Sequence, residues 1–179
     1  MKDDFIVPLN GLAQGRTESG FHAGKEFFER FENSEILDAD LDLDVAVTKS
    51  GRSIAVDCEI DGSVVVICDR CLEDLTIPVR TGFRLSLKFV DPDLEETGFL
   101  GMENDREVVC VPENEADFDL SQTVYDYVCL SLPVQRVHNE GECNPEAVRY
   151  LSSENGQEPS VKDSSTPFAG LKDLLGKIE

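Results

Sequence analysis

The sequence has no run of roughly 18 apolar residues, so no stretch of it reads as a helix that crosses a bilayer. It also has no phosphate-cradling glycine loop and no metal-hydrolase helix. With two histidines, a serine–histidine–acid set has little to be built from, and hydrolase or nuclease chemistry finds no support. Positive charge is the other shortage: 16 Lys and Arg stand against 37 Asp and Glu, a formal net charge of -21. A protein that grips a phosphate backbone unaided presents a basic face that releases counterions, and no such face can be read here.

The first residues, Met1-Lys2-Asp3-Asp4-Phe5, carry acids where a signal peptide would be basic and then apolar, so a cytoplasmic protein is expected. In that compartment six cysteines argue for free thiols, metal ligation or catalysis rather than for a disulfide framework. A length of 179 residues suits one domain plus a tail. The expected division is a single domain over 1–151, a Ser, Glu, Gly and Pro-rich flexible linker over 152–166, and a C-terminal docking segment over 167–179.

Within the domain, hydrophobic periodicity gives most of the elements. Residues Asp4 to Leu9 read as a short edge strand ended by Asn10-Gly11, and Arg16 to Gly24 as a weak second one. Phe27, Phe28 and Phe31 stand at helical spacing. Leu41, Leu43, Val45 and Val47 then alternate with Asp40, Asp42 and Asp44, the period of two that puts apolar groups on one face and carboxylates on the other. Alternation resumes at Ile54, Val56, Cys58 and Ile60, which makes Cys58 a core thiol, and again at Leu75 to Val79 and Phe83 to Phe89. Ser50-Gly51, Asp61-Gly62 and Thr81-Gly82 read as the turns between them, and the continuous run Val64 to Ile67 as a strand covered on both faces.

Short turns force antiparallel neighbours, so the expected fold is α+β: an antiparallel β-meander curled toward an open barrel, with one long packed helix and short flanking helices. Asp119-Leu-Ser-Gln122 has the capping-box form and starts that helix, which runs to Pro133. Residues 91–105 read as a mobile acidic loop. The wider stretch 91–119 holds eleven acids against Arg106 alone, which suits either a solvated loop or a docking surface for a basic partner.

The chain is organised around Cys68-Asp69-Arg70-Cys71, at the end of an apolar run. Two intervening residues let both sulfurs reach one ion at about 2.3 Å. His138 and Cys143 lie close together in a second, turn-rich stretch with Gly141 at its bend, and would complete a Cys3His shell of the kind that holds structural zinc. Ordinary reduced cysteines and a thioredoxin-like redox pair are the competing readings. Against the redox pair, Asp69, Glu73 and Asp74 crowd the site where a reactive thiolate wants positive charge.

At these residues the sequence resembles the bacterial and plastid YceD family, the large ribosomal RNA subunit accumulation proteins. The resemblance rests on Val65-Val66-Ile67-Cys68-Asp69-Arg70-Cys71-Leu72-Glu73, the acidic middle, the segment from Asp119 to Leu130-Ser131-Leu132-Pro133, and the closing Pro167-Phe168-Ala169 with Leu171, Lys172 and Leu174. It implies a role in large-subunit ribosome assembly and no known catalysis. Many members resemble a four-cysteine pattern, and His138 and Cys143 stand where the second pair is expected. Joined to the charge, the resemblance gives an expected partner: a basic ribosomal protein or a large-subunit assembly intermediate, with ribosomal RNA touched indirectly and no membrane involved. The competing reading is an acidic, zinc-stabilised protein-interaction module unrelated to ribosomes.

Overall fold

The computed structural model describes residues 5–32, 34–91 and 98–151. The linker 152–166, the docking segment 167–179 and residues 92–97 of the acidic loop lie outside the described residues. Most of the described chain is extended: β1 (Ile6–Pro8), β2 (Gly15–Gly24), β3 (Ile36–Ser50), β4 (Ser53–Ile67), β5 (Asp74–Val90), β6 (Gly98–Glu103), β7 (Arg106–Pro112) and β8 (Asp117–Asp119). Among the described residues helix is limited to α1 (Lys25–Phe28), α2 (Ser121–Ser131) and α3 (Pro145–Leu151). Strands β2-β3-β4-β5-β7-β6 form one six-stranded sheet in that order, and β1 pairs with β8 separately.

The architecture corrects the expected α+β meander in four ways. Among the described residues the protein is mostly β; its main sheet is mixed, because β7 runs parallel to β5 with Leu85 opposite Glu107; the sheet is open, with edges β2 and β6; and the longest helix spans 11 residues. One physical cause accounts for much of the difference. Asp61-Gly62 and Thr81-Gly82 are not turns, and β4 and β5 run through them for 15 and 17 residues. Gly62 adopts φ +150, and a Cβ there would stand 2.1 Å from the Asp40 carbonyl oxygen; at Gly82 it would stand 2.5 Å from that of Cys58. These glycines let neighbouring backbones come close inside a bent sheet. The strands expected on either side of each are therefore one strand.

Ser50-Gly51 does make the expected turn: Ser50 pairs with Ser53 across a two-residue loop in which Gly51 has φ +60. Residues 98–103, expected within the mobile loop, form β6 on β7. Ile67 is exposed and Val65 half-buried, so the end of β4 is covered on one face rather than two. Helix α2 stays short because Leu132 is already extended ahead of Pro133. At its start the Asp119 carboxylate accepts from the Ser121 N–H at 2.8 Å, while Gln122 reaches forward to Asp126 instead of back. The capping-box residues thus cap the helix by half of the expected pattern.

The core lies on one face of the sheet. Leu41, Leu43, Ile54, Ile60, Leu85 and Leu87 are fully buried, and Leu120, just before α2, adds to them with Val124 and Val128 of α2. Phe27 and Phe28 close one end, and Phe31 stacks on Tyr125 with centroids 4.1 Å apart. Cys58 sits in this core, where burial first and then Asp44 and Glu59 push its thiol up to about 12. The opposite face carries Asp40, Asp42, Asp44, Asp57 and Glu59, with Arg106 donating to both oxygens of Asp57 at 2.8 and 3.1 Å. Among the described residues no helix is long and apolar enough to cross a membrane.

Candidate metal centre

The turn between β4 and β5 carries the first two sulfurs. Its shape is set by backbone bonds: the Cys68 N–H donates to the Glu73 carbonyl at 2.8 Å, and the Leu72 N–H to the Cys68 carbonyl at 2.9 Å. Leu72 takes φ 60 to close it. A knuckle of this form turns both cysteines inward and leaves Leu72 outside, 77% exposed.

The second half comes from the segment between α2 and α3. It is brought to the turn by Asp69, whose N–H donates to the Arg136 carbonyl at 2.7 Å and whose carboxylate accepts from the Arg136 N–H at 2.8 Å. The Arg136 guanidinium also reaches Glu35 at the entry to β3. At the far side Asn144 accepts from the Glu146 N–H at 2.9 Å to start α3, and its amide donates to Glu73 at 2.6 Å. Gly141, at φ 86, makes the bend that sequence spacing required.

These connections bring together all four residues expected to bind metal. One ligand atom from each of Cys68, Cys71, His138 and Cys143 lies within 4.8 Å of the others. Cys68 and Cys143 sulfurs are 4.0 Å apart, and His138 Nδ1 is 3.3 Å from the Cys71 sulfur and 3.9 Å from that of Cys143. Sulfurs bound at about 2.3 Å to a tetrahedral ion stand about 3.8 Å apart, so the cluster has the right size. All three cysteines are buried.

The protonation chemistry fits as well. His138 Nε2 lies 3.1 Å from the Asp74 carbonyl, which can only accept; Nε2 therefore carries the hydrogen and Nδ1 faces the sulfurs. Burial opposes ionisation of Cys68, yet the backbone N–H groups of Cys71, Arg70 and His138 bring its thiol down to about 6. The Cys68 and Cys71 sulfurs in turn raise the His138 pKa against desolvation. A positive charge is thus favoured among these atoms, while burial first and then the Cys71 and Cys68 sulfurs hold the Cys143 thiol above its usual value. Together they could hold a metal ion.

Cys58, Cys110 and Cys129 stand apart from the cluster, the first two buried and the third half-buried. Sequence reasoning missed the residues that align the two halves, Asp69, Arg136 and Asn144. Asp69 and Asn144 each stand beside a ligand cysteine, and a polar residue there could have signalled the role. Arg136 carried no such mark.

The family model described as large ribosomal RNA subunit accumulation protein YceD matches residues 56–175, well over half of the chain and all four candidate ligands. No curated protein and no solved structure matches it.

Proposed function

Because this chain belongs to the YceD family of large ribosomal RNA subunit accumulation proteins, we propose that it is a non-catalytic factor in large-subunit ribosome assembly that acts by binding a basic ribosomal protein. The family match over 56–175 carries the assembly role. The choice of partner is supported by the net charge of -21, which repels a phosphate backbone and attracts a polycation. Its effect on ribosomal RNA is then indirect: the basic protein is held or delivered, and the RNA accumulates because assembly proceeds.

The metal in this reading is zinc with a structural role. A Cys3His set has four protein ligands, which leaves no open position for substrate or water. Zinc, when bound, would supply a rigid cross-link. Cys68 and Cys71 would hold it from the β4–β5 turn, and His138 and Cys143 from the segment after α2. Asp69 and Arg136 orient the two halves, and the Asp74 carbonyl keeps the His138 tautomer that presents Nδ1.

The test is affinity purification of the tagged full-length chain from growing cells, with both protein and RNA identified in the eluate. Enrichment of large-subunit precursors and of basic ribosomal proteins at moderate salt is expected. Strong binding of free ribosomal RNA without those proteins would overturn the choice of partner. Absence of the protein from precursor fractions would overturn the assembly role.

A further inference from the structure

The two edges of the main sheet differ in kind. Strand β2, at one edge, is Gly-Arg-Thr-Glu-Ser-Gly-Phe-His-Ala-Gly, and no large apolar residue in it is strongly exposed. Strand β6, at the other, exposes Phe99 (64%), Leu100 (55%) and Met102 (63%) in six residues. An edge strand presents a row of backbone donors and acceptors, and charged side chains are the usual protection against unwanted pairing. The outer side of β6 has no strand partner among the described residues.

The register shows which face these side chains extend. Phe99 lies opposite Val109 and Met102 opposite Glu107. Val109 and Glu107 in turn lie beside Leu87 and Leu85, which are core residues. Phe99 and Met102 therefore continue the apolar face of the sheet outward. The cover over that face at this point is Tyr127 of α2, whose hydroxyl reaches Glu107. Beyond it the face runs out to solvent at β6. Leu100 is the extra residue of a bulge between Phe99 and Gly101.

The net charge of the chain selects the occupant. Beside β6, Arg84 and Lys88 of β5 are taken up by Asp105 and Glu103, and Arg52 of the β3–β4 turn by Glu113, while the chain as a whole carries -21. A second copy of a chain at -21 is repelled from such an edge; an extended basic segment is drawn to it.

We propose that β6 is a docking edge that receives an extended, lysine-rich segment of a partner protein as a further strand of the sheet, with apolar side chains of that segment covering Phe99 and Met102. Main-chain hydrogen bonds along β6 hold the segment, and the net negative charge of the chain selects its sign. The inference deepens the reading above, since the basic ribosomal protein is the intended source of the segment and the inference rests on that reading.

The probe is a ten-residue peptide of alternating Lys and Val, titrated into the full-length chain and into two variants, Phe99→Glu/Met102→Glu and Phe99→Lys/Met102→Lys. Strand addition predicts slowed amide exchange at residues 98–103 when the peptide binds. It also predicts a loss of affinity of roughly tenfold or more in both variants, since each removes apolar contacts at the centre of the interface. The acidic variant is the critical one: diffuse charge attraction would make it bind as well or better, and that result, or unchanged exchange at 98–103, overturns the proposal. Concentration-dependent dimerisation that the acidic variant abolishes also overturns it, in favour of a second copy. Thermal unfolding of each variant like that of wild type confirms that the fold is kept. Failure with the peptide while the tagged chain still co-purifies with large-subunit precursors and basic ribosomal proteins removes the β6 edge and leaves the assembly role standing. Loss of that co-purification, with peptide binding intact, does the reverse.

Discussion

The sheet core and the sulfur cluster are ordered by different means. In the core, long side chains such as Leu41, Leu87 and Phe28 are wholly removed from water, each worth about 1.5–3 kcal/mol on full burial. Around the cluster the apolar support is Leu75, Val137, Ala147 and Val148, all only partly buried. The segment that brings His138 and Cys143 has no regular secondary structure between α2 and α3. Fixing its backbone costs about 1–2 kcal/mol per residue, more than so small an apolar contact returns. On the zinc reading proposed above, a fold with a self-sufficient sheet has thus a second region whose order would depend on four donors sharing one ion. Damage to the first should dissolve both regions; damage to the second should leave the first intact.

The largest expected effect strikes the sheet. Gly62→Ala puts a Cβ 2.1 Å from the Asp40 carbonyl oxygen at a φ of +150, so β3 and β4 must move apart or the residue must flip. Strain and overpacking together should cost about 4 kcal/mol. Denaturant unfolding monitored by circular dichroism should show a lower midpoint, with metal content falling only as the unfolded fraction rises. A variant that unfolds like wild type would mean that β4 bends less tightly at Gly62 than described.

Next in size is the cluster itself. Metal analysis of the purified chain should give one zinc per molecule, and Cys71→Ser should abolish it. Chelation, or the same substitution, should remove about 3 kcal/mol of linkage stabilisation, equivalent to a fall in Tm of roughly 5–10 °C. Amide exchange should quicken at 68–73 and 136–144 while β3 and β4 stay protected. A metal-free wild type of equal stability would erase the contrast between the two regions and leave the cysteines as buried thiols.

How much of each region could be read beforehand follows the same division. The alternation of Leu41 to Val47 and of Ile54 to Ile60 marked the strands because half-burial of a sheet imposes a period of two. Gly62 and Gly82 misled, since a glycine in a hairpin and a glycine against a neighbouring carbonyl look alike in one dimension; what separates them is the distance to another strand. The parallel pairing of β5 with β7 is non-local and leaves no periodic trace. Strand β6 was hidden because Phe99, Leu100 and Met102 sit among glycines and acids that break the alternation. The candidate ligands were legible across a separation of 67 positions from Cys71 to His138 because cysteine and histidine are few in this sequence. Arg136 and Asp69 were not, since charged residues are everywhere in it.

A smaller effect probes the join between core and helix. Asp119→Ala removes the carboxylate that accepts from the Ser121 N–H, the cap of α2. Caps of this kind are worth about 1 kcal/mol. The substitution should lower the midpoint of unfolding by that amount without changing metal stoichiometry. Loss of metal as well would show that α2, and not the β4–β5 turn, positions the second pair of ligands.

The smallest effect concerns the strut between the regions. The Arg136 guanidinium reaches Glu35 and Asp69, and Glu35 first and then the Asp69 charge hold its pKa above the usual value. Yet Glu35 is 71% exposed, and an ion pair with one partner in water contributes about 0.2–1 kcal/mol. The backbone of Arg136, by contrast, exchanges two bonds with Asp69, and these survive a change of side chain at 136. Arg136→Ala should therefore cost less than about 1 kcal/mol and leave zinc in place, while Asp69→Ala, which removes the carboxylate acceptor, should weaken zinc retention under chelator competition. Equal loss from the two variants would assign the alignment of the halves to the guanidinium instead of to the backbone pair.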